Sequence, residues 1–282
     1  MPEHLGEAVS RGSLDRFLIK VREERGLDVA QYRPRYVERR IAVRLSALGL
    51  HTYRQYAAYL DHHPEEYAAL LDALTINVTQ FFRDPTVYAV FREKVVPSLI
   101  AAKTARKQHL LRAWSAGCAT GEEPYSLAMS MLDGIRRTGA EGMFLSVTGT
   151  DIDRNALAVA KRGEYPVADL SHIPAADRHR YIDVDGDVFR MKPDVAKLVR
   201  IQYLNLFEDP PIHGVDIVFC RNVFIYFNHD EQDRMIRSFW EGLSRGGYLV
   251  LGRSERLAPA FARQFQMVDA KERVYRKPVE LR

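Results

Sequence analysis

The chain has 282 residues, 46% of them hydrophobic and 28% charged, an ordinary globular composition that suits one large domain or two smaller ones. No apolar run approaches the ~20 residues needed to cross a bilayer, and the N-terminal MPEHLGEAVSRGSLDRF has early acids and no apolar leader core, so a cytoplasmic protein without direct membrane insertion is expected. The net charge of +4 is a mild excess that does not by itself argue for nucleic acid, and two cysteines, Cys118 and Cys220, are too few for a disulfide scaffold or a metal signature and read as small buried hydrophobes.

Residues 1–75 read as all helix. Leu14, Phe17, Leu18 and Val21 follow the i, i+3, i+4, i+7 pattern of a helix with one buried face, and Val37, Ile41, Leu45 and Leu48 repeat it before a natural stop at Gly49. YRQYAAYLDHHPEEYAALLDAL reads as two helices broken before Pro64. The stretch Arg33 to Arg44 carries five arginines and one glutamate. On a helix, Arg40 and Arg44 share a face and Arg39 is offset by about 100°; this is either a solvated basic face or a dock for an acidic partner.

Residues 76–90 read as a linker, and the pattern changes after Phe91. LLRAWSAG, FLSVTGTD, VRIQYLNL, VDIVFC and YLVLG are short apolar strands, and PYSLAMSMLDGIRR, RNALAVAKRG and QDRMIRSFWEGL between them are helical. Alternation of this kind predicts an α/β domain over 91–282 with a mostly parallel sheet, which binds ligands beyond the carboxyl ends of its strands. One segment, 165–200, interrupts it; Asp185-Gly186 between β-prone arms predicts a small inserted antiparallel hairpin.

The strand tips carry the chemistry. After the first, Gly117 and Gly121 allow a tight turn and close backbone approach to a ligand, without the pattern of a pyrophosphate loop. Thr120 and Glu123 have capping-box spacing, with Pro124 in a first helical turn. Asp151 ends the second strand, where a carboxylate grips a ribose diol or caps the next helix; Asp153 suits the cap better. Asn205 and Leu206 end the third, and Arg221 and Asn222 follow the fourth. Thr75 to Asp84 combines short polar donors, a Phe pair and Arg83, and by propensity alone reads as a helix boundary.

LTINVTQFFRD, WSAGCATGEEPYSLAM, TDID, NL, FCRNVFIYF and LGRSE occur in the order of the signature blocks of the CheR family of chemotaxis receptor glutamate methyltransferases, and the chain resembles that family over nearly its whole length. The resemblance implies an all-helical N-terminal docking domain followed by a Rossmann-like class I methyltransferase domain. It implies S-adenosylmethionine as cofactor, with S-adenosylhomocysteine as product. Asn77, Thr79, Arg83, Gly117, Glu123, Asp151, Asn205, Leu206, Arg221 and Asn222 would line the cofactor site, Glu123 toward the methionine end unless it only caps its helix. Arg83 and Tyr226 would orient the substrate carboxylate near the transferable methyl. Arg39, Arg40 and Arg44 would dock the cytoplasmic helical domain of the receptor. The short hairpin tip DVDGDVF implies independence of a receptor C-terminal peptide tether. A monomer without metal is expected.

A nucleic-acid methyltransferase is disfavoured because Asp209-Pro210-Pro211-Ile212 lacks the aromatic of an amino-methylating motif and precedes a strand rather than following it. A non-catalytic adaptor that senses the cofactor is the alternative of a different class; Asn77, Arg83, Asp151 and Tyr226 argue against it.

Overall fold

A computed structural model of the chain describes residues 11–25, 29–75, 77–140 and 142–280. The N-terminal ten residues, read above as carrying no leader, and Ile76 at the start of the linker lie outside them. The chain divides into two compact units. One holds the described residues up to Thr75 together with Tyr226–Glu231, and the other holds Asn77–Ile225 and the residues from Gln232 onward.

The first unit is helical: α1 (Arg11–Arg25), α2 (Pro34–Ala47), α3 (Tyr53–His62) and α4 (Glu66–Leu74). Pro34 opens α2, where its missing N–H has no intrahelical partner to lose. Gly49, at φ +68°, ends it, and the Leu50 N–H returns to the Leu45 carbonyl at 2.8 Å. Thr52 and Gln55 form a reciprocal capping box at the start of α3. Most of the predicted stripes are buried, Leu14, Phe17 and Val21 of α1 and Val37, Ile41 and Leu45 of α2, while Leu18 and Leu48, the latter just past the end of α2, are half-buried. Phe17 stacks on Tyr53 and Tyr56 of α3. The returning segment joins this core through an antiparallel bridge between Tyr32 and Phe227 and through ring contacts of Tyr32 with Phe227 and Tyr36 with Tyr226.

The second unit begins with α5 (Pro85–Val90), a π-helical turn (Phe91–Val95) and α6 (Val96–Ala105). Residues read as the end of a linker are therefore helical. Their apolar side chains, Val87, Tyr88, Phe91, Val95, Val96, Leu99 and Ile100, are buried. The strands are β1 (Leu110–Ala116), β2 (Phe144–Asp151), β3 (Glu164–Pro166), β4 (Ile182–Asp185), β5 (Val188–Met191), β6 (Val199–Tyr203), β7 (Val215–Cys220), β8 (Leu243–Leu251), β9 (Gln266–Asp269) and β10 (Val274–Arg276). The helices among them are α7 (Glu122–Thr138), α8 (Arg154–Arg162), α9 (Ala175–Tyr181), α10 (Pro193–Ala196), α11 (His229–Gly242) and α12 (Pro259–Ala262).

Seven strands form one sheet in the order β6-β2-β1-β7-β8-β10-β9, parallel from β6 to β8, with β10 antiparallel to both its neighbours. All six residues of β7 are buried, as expected of a central strand covered on both faces. The chain runs outward through β1, β2 and β6 and then returns to β7, so the direction of winding reverses between β1 and β7. That is where an open α/β sheet leaves a crevice beyond its carboxyl ends. The insertion is a separate antiparallel sheet, β3-β5-β4, whose hairpin turns on Gly186 and Asp187. It adds a third strand to the predicted hairpin. The closing β9–β10 hairpin has no counterpart in the sequence-based reading.

Candidate active site

The turn after β1 is built on backbone that favours glycine. Gly117 lies at φ +78° and Gly121 at φ +99°, and Ala119 between them is also left-handed at +46°. The Gly117 and Cys118 N–H groups donate to the Thr150 carbonyl, and the Ala119 N–H donates to Asp151 Oδ2 at 2.8 Å. The turn is thus tied to the end of β2. A Cβ on Gly117 would fall 2.6 Å from Val223 Cγ2, so packing as well as conformation requires glycine here.

The capping box expected at Thr120 and Glu123 does not form. Gly121 is the residue before α7, and no side chain caps the helix. Its left-handed backbone departs from the extended geometry a capping side chain needs. Thr120 instead donates to the Glu122 carboxylate, and Glu123 Oε1 accepts from Ser115 Oγ at 2.8 Å. Glu123 Oε2 stands 3.6 Å from Arg221 Nη1. This removes the rival role for Glu123 and turns its carboxylate toward the β1–β7 switch point.

Asp151 accepts from the Ala119 and Asp153 N–H groups. Asp153 is the helix cap, accepting from the Asn155 and Ala156 N–H groups at 2.8 and 3.1 Å, and Asn77 Nδ2 donates to its other oxygen at 2.6 Å. Asn77 therefore braces the end of β2, while Thr79 is half-buried in the same segment. Arg83 donates through Nη1 to the Val78 carbonyl at 2.7 Å. Asn205 is buried; its Oδ1 accepts from the Phe207 N–H, with Leu206 half-buried between them.

Arg221 is the buried cation of the site, its side chain 2% exposed. Nη2 meets Asp84 Oδ2 at 2.5 Å, but Nε and Nη1 have no hydrogen-bond partner, nor has Asn222 Oδ1 or the Tyr88 hydroxyl. Burial pushes the carboxyls of Glu123 and Asp151 above the usual range, against the lowering by Arg221 for the first and by backbone N–H groups for the second. Burial pushes Glu122 up to about 7. Both cysteines are free and buried, and burial keeps their thiols protonated and hence poor nucleophiles.

Asp84, Ser115 and Glu255 have no assigned role in the sequence reading, yet each holds a site residue. Asp84 closes LTINVTQFFRD and Glu255 closes LGRSE, so the motifs carry the signal. Ser115 lies within WSAGCATGEEPYSLAM, just ahead of the glycine turn.

Tyr226 lies in the first unit. Its carbonyl accepts the Arg33 N–H at 2.9 Å and its ring packs on Tyr36. Arg83 lies in the second unit. Among the basic residues of α2, Arg44 makes a bidentate pair with buried Glu66, both bonds at 2.8 Å, and Arg40 Nε donates to the Ala73 carbonyl. Arg39 is exposed.

The half-buried acids Glu123 and Asp151, with Asp84, Asp153 and Glu255, outnumber Arg83 and Arg221. Such a site suits a ligand carrying positive charge better than an anionic nucleotide. The unpartnered atoms of Arg221 and Asn222 call for a polar ligand, since buried polar atoms are otherwise paired.

Comparison with known proteins agrees. Residues 77–274 match the model of the CheR methyltransferase SAM-binding domain, and residues 13–75 match that of the CheR methyltransferase all-alpha domain. A chemotaxis protein methyltransferase of Listeria monocytogenes is 33% identical over 84% of this chain and 87% of that protein. Chemotaxis protein methyltransferase 2 of Pseudomonas aeruginosa is 31% identical over 83% of each. An uncharacterized 104.1 kDa protein of Rhodobacter capsulatus is 34% identical over 86% of this chain, which spans only 25% of that protein's length. The chain belongs to the CheR methyltransferase family, and its sheet unit is that family's S-adenosylmethionine-binding domain.

Proposed function

We propose that the protein transfers a methyl group from S-adenosylmethionine to glutamate side chains of chemotaxis receptors, giving glutamate methyl esters and S-adenosylhomocysteine. The observation that carries this reading is the set of incompletely matched polar groups at the carboxyl ends of β1, β2 and β7. Asp151 would hold the ribose hydroxyls, because each of its oxygens accepts one N–H and keeps acceptor capacity. Glu123, Arg221 and Asn222 would hold the amino-acid end, with Gly117 giving backbone access. Asn205 and Leu206 would flank the adenine, and Asn77 and Thr79 would close the site.

The bound cofactor supplies an already electrophilic sulfonium methyl. A glutamate carboxylate, with a reference pKa of about 4.3, is ionised at neutral pH and needs no base. The protein's work is then to desolvate that carboxylate and align it. Arg83 retains donors beyond the one given to Val78, and these suit one carboxylate oxygen. The Tyr226 hydroxyl suits the other. Neither is asked to neutralise the nucleophile, since a tight ion pair would blunt it.

Residues 1–75 would form the receptor-docking domain, 76–90 would contribute to the cofactor site, and 91–282 would carry out transfer. Arg39 would lead contact with an acidic receptor helix, with Arg40 and Arg44 behind it. The two-residue turn between β4 and β5 gives residues 165–200 no long loop, which supports action without a receptor C-terminal tether. We read the protein as a cytoplasmic monomer; among the described residues no helix is long and apolar enough to cross a membrane. The test is methyl transfer from labelled cofactor to a receptor cytoplasmic fragment. Base-labile label in protein is expected. Label in nucleic acid, or none in either with a folded enzyme, would overturn the reading.

A further inference from the structure

LGRSE follows the last central strand and supplies no residue to the roles above. Its glutamate is nevertheless at the centre of a tight network. Glu255 is 3% exposed. Its Oε2 accepts from the Gly252 N–H at 2.6 Å and the Asn222 N–H at 3.1 Å, and its Oε1 accepts from the Phe224 N–H at 2.8 Å. Only a carboxylate offers acceptors on both oxygens; an amide would turn an NH2 group against one of these donors.

The loop so held starts at Arg221 and Asn222. Asn222 sits at φ +60°, a left-handed conformation that is unfavourable for a non-glycine residue and that needs outside support. Gly252 fits the same purpose. A Cβ there would lie 2.6 Å from Glu255 Oε2 and 2.9 Å from the Asn222 nitrogen. The glycine and the glutamate of the motif thus serve one contact.

We propose that Glu255 is a positioning residue of the cofactor pocket: it clamps the 222–224 backbone so that Arg221 and Asn222 point their unpartnered atoms at the ligand. The inference rests on the reading of the strand ends as an S-adenosylmethionine site. Glu255 acts through the loop, since both of its oxygens are taken by backbone N–H groups. A purely structural role would lower stability alone, whereas a positioning role lowers cofactor affinity out of proportion to stability.

The experiment titrates the full chain with S-adenosylhomocysteine by calorimetry and records thermal unfolding of each protein. Glu255→Gln is compared with Asp133→Asn, which perturbs a buried carboxylate paired with Arg136 and Arg137 near the other end of α7. Glu255→Gln is expected to weaken binding about tenfold or more, and Asp133→Asn to leave affinity unchanged while lowering the melting temperature. Gly252→Ala attacks the same contact from its other side, is expected to weaken binding likewise, and carries the test if Glu255→Gln does not fold. Wild-type affinity in a folded Glu255→Gln or Gly252→Ala protein would overturn the proposal. So would an equal affinity loss in Asp133→Asn at matched melting temperature. Failure of the wild type to bind would instead overturn the pocket reading itself.

Discussion

The two units treat their buried charges differently. In the helical unit, the buried Glu66 is enclosed by the Arg44 fork and the Tyr56 hydroxyl, all at 2.8 Å. In the sheet unit, Arg221 Nε and Nη1 and Asn222 Oδ1 make no hydrogen bond, Nη1 standing 3.6 Å from Glu123 Oε2, close to carboxyls that burial has pushed up. A scaffold satisfies its buried polar groups because leaving one bare costs about 1–3 kcal/mol. A site leaves them bare because a ligand will complete them. On the proposed reading, the atoms of Arg221 and Asn222 that lack a hydrogen bond are the ones a bound cofactor would complete.

The comparison breaks most visibly at Arg44. Arg44→Ala strands the buried Glu66 carboxylate, and about 3 kcal/mol of stability should be lost in denaturant unfolding, with cofactor affinity intact in the folded protein. Burial raises Glu66, but the bonds from Arg44 and Tyr56 outweigh it and leave its carboxyl below the usual range. Its contribution to stability is therefore present above the unfolded pKa and lost as pH falls through the folded one.

Gly117→Ala should cost about 2 kcal/mol, from a left-handed backbone and the contact with Val223, and should weaken the cofactor as well. Unfolding and calorimetry on one preparation check both; loss of stability alone would place Gly117 with the scaffold.

Glu122 carries a pH effect of opposite sign to Glu66. Its pKa is raised from 4.5 to about 7, so between these values the folded state binds the extra proton. Stability of the ligand-free protein should then rise as pH is lowered from about 7 toward 4.5 through this group. Glu122→Gln should flatten that part of a melting-temperature profile, and an unchanged slope would remove Glu122 as its source.

The smallest effect is expected at Arg39. Arg39→Ala should change stability by less than about 0.5 kcal/mol yet slow receptor methylation at low salt, with the deficit shrinking as salt rises. Equal rates at low salt would leave α2 a plain solvated face.

The architecture was legible where periodicity is clean. The apolar runs of β1, β2 and β7 and the stripes of α1 and α2 fell where expected, and Asp153 took the predicted cap. The helices from Pro85 to Ala105 were not legible because apolar residues surround them and no stripe stands out. The Thr120–Glu123 spacing misled because spacing cannot reveal that Gly121 is left-handed. Local sequence also hides partners far along the chain: Asp84 lies 137 residues from Arg221, and Asn222 lies 33 from Glu255. It likewise could not tell that Arg40 and Arg44 have partners within their own unit while Arg39 does not bury.

The most direct test of the central claim, that the incompletely matched groups at the strand ends form the cofactor site, is calorimetric titration of S-adenosylhomocysteine into the wild type and Asp151→Ala. The account predicts clear one-site binding by the wild type and a loss of about 100-fold in the variant, as expected when charge-assisted hydrogen bonds to a carboxylate are removed. A folded wild type that does not bind, or a variant that binds as well, would contradict it.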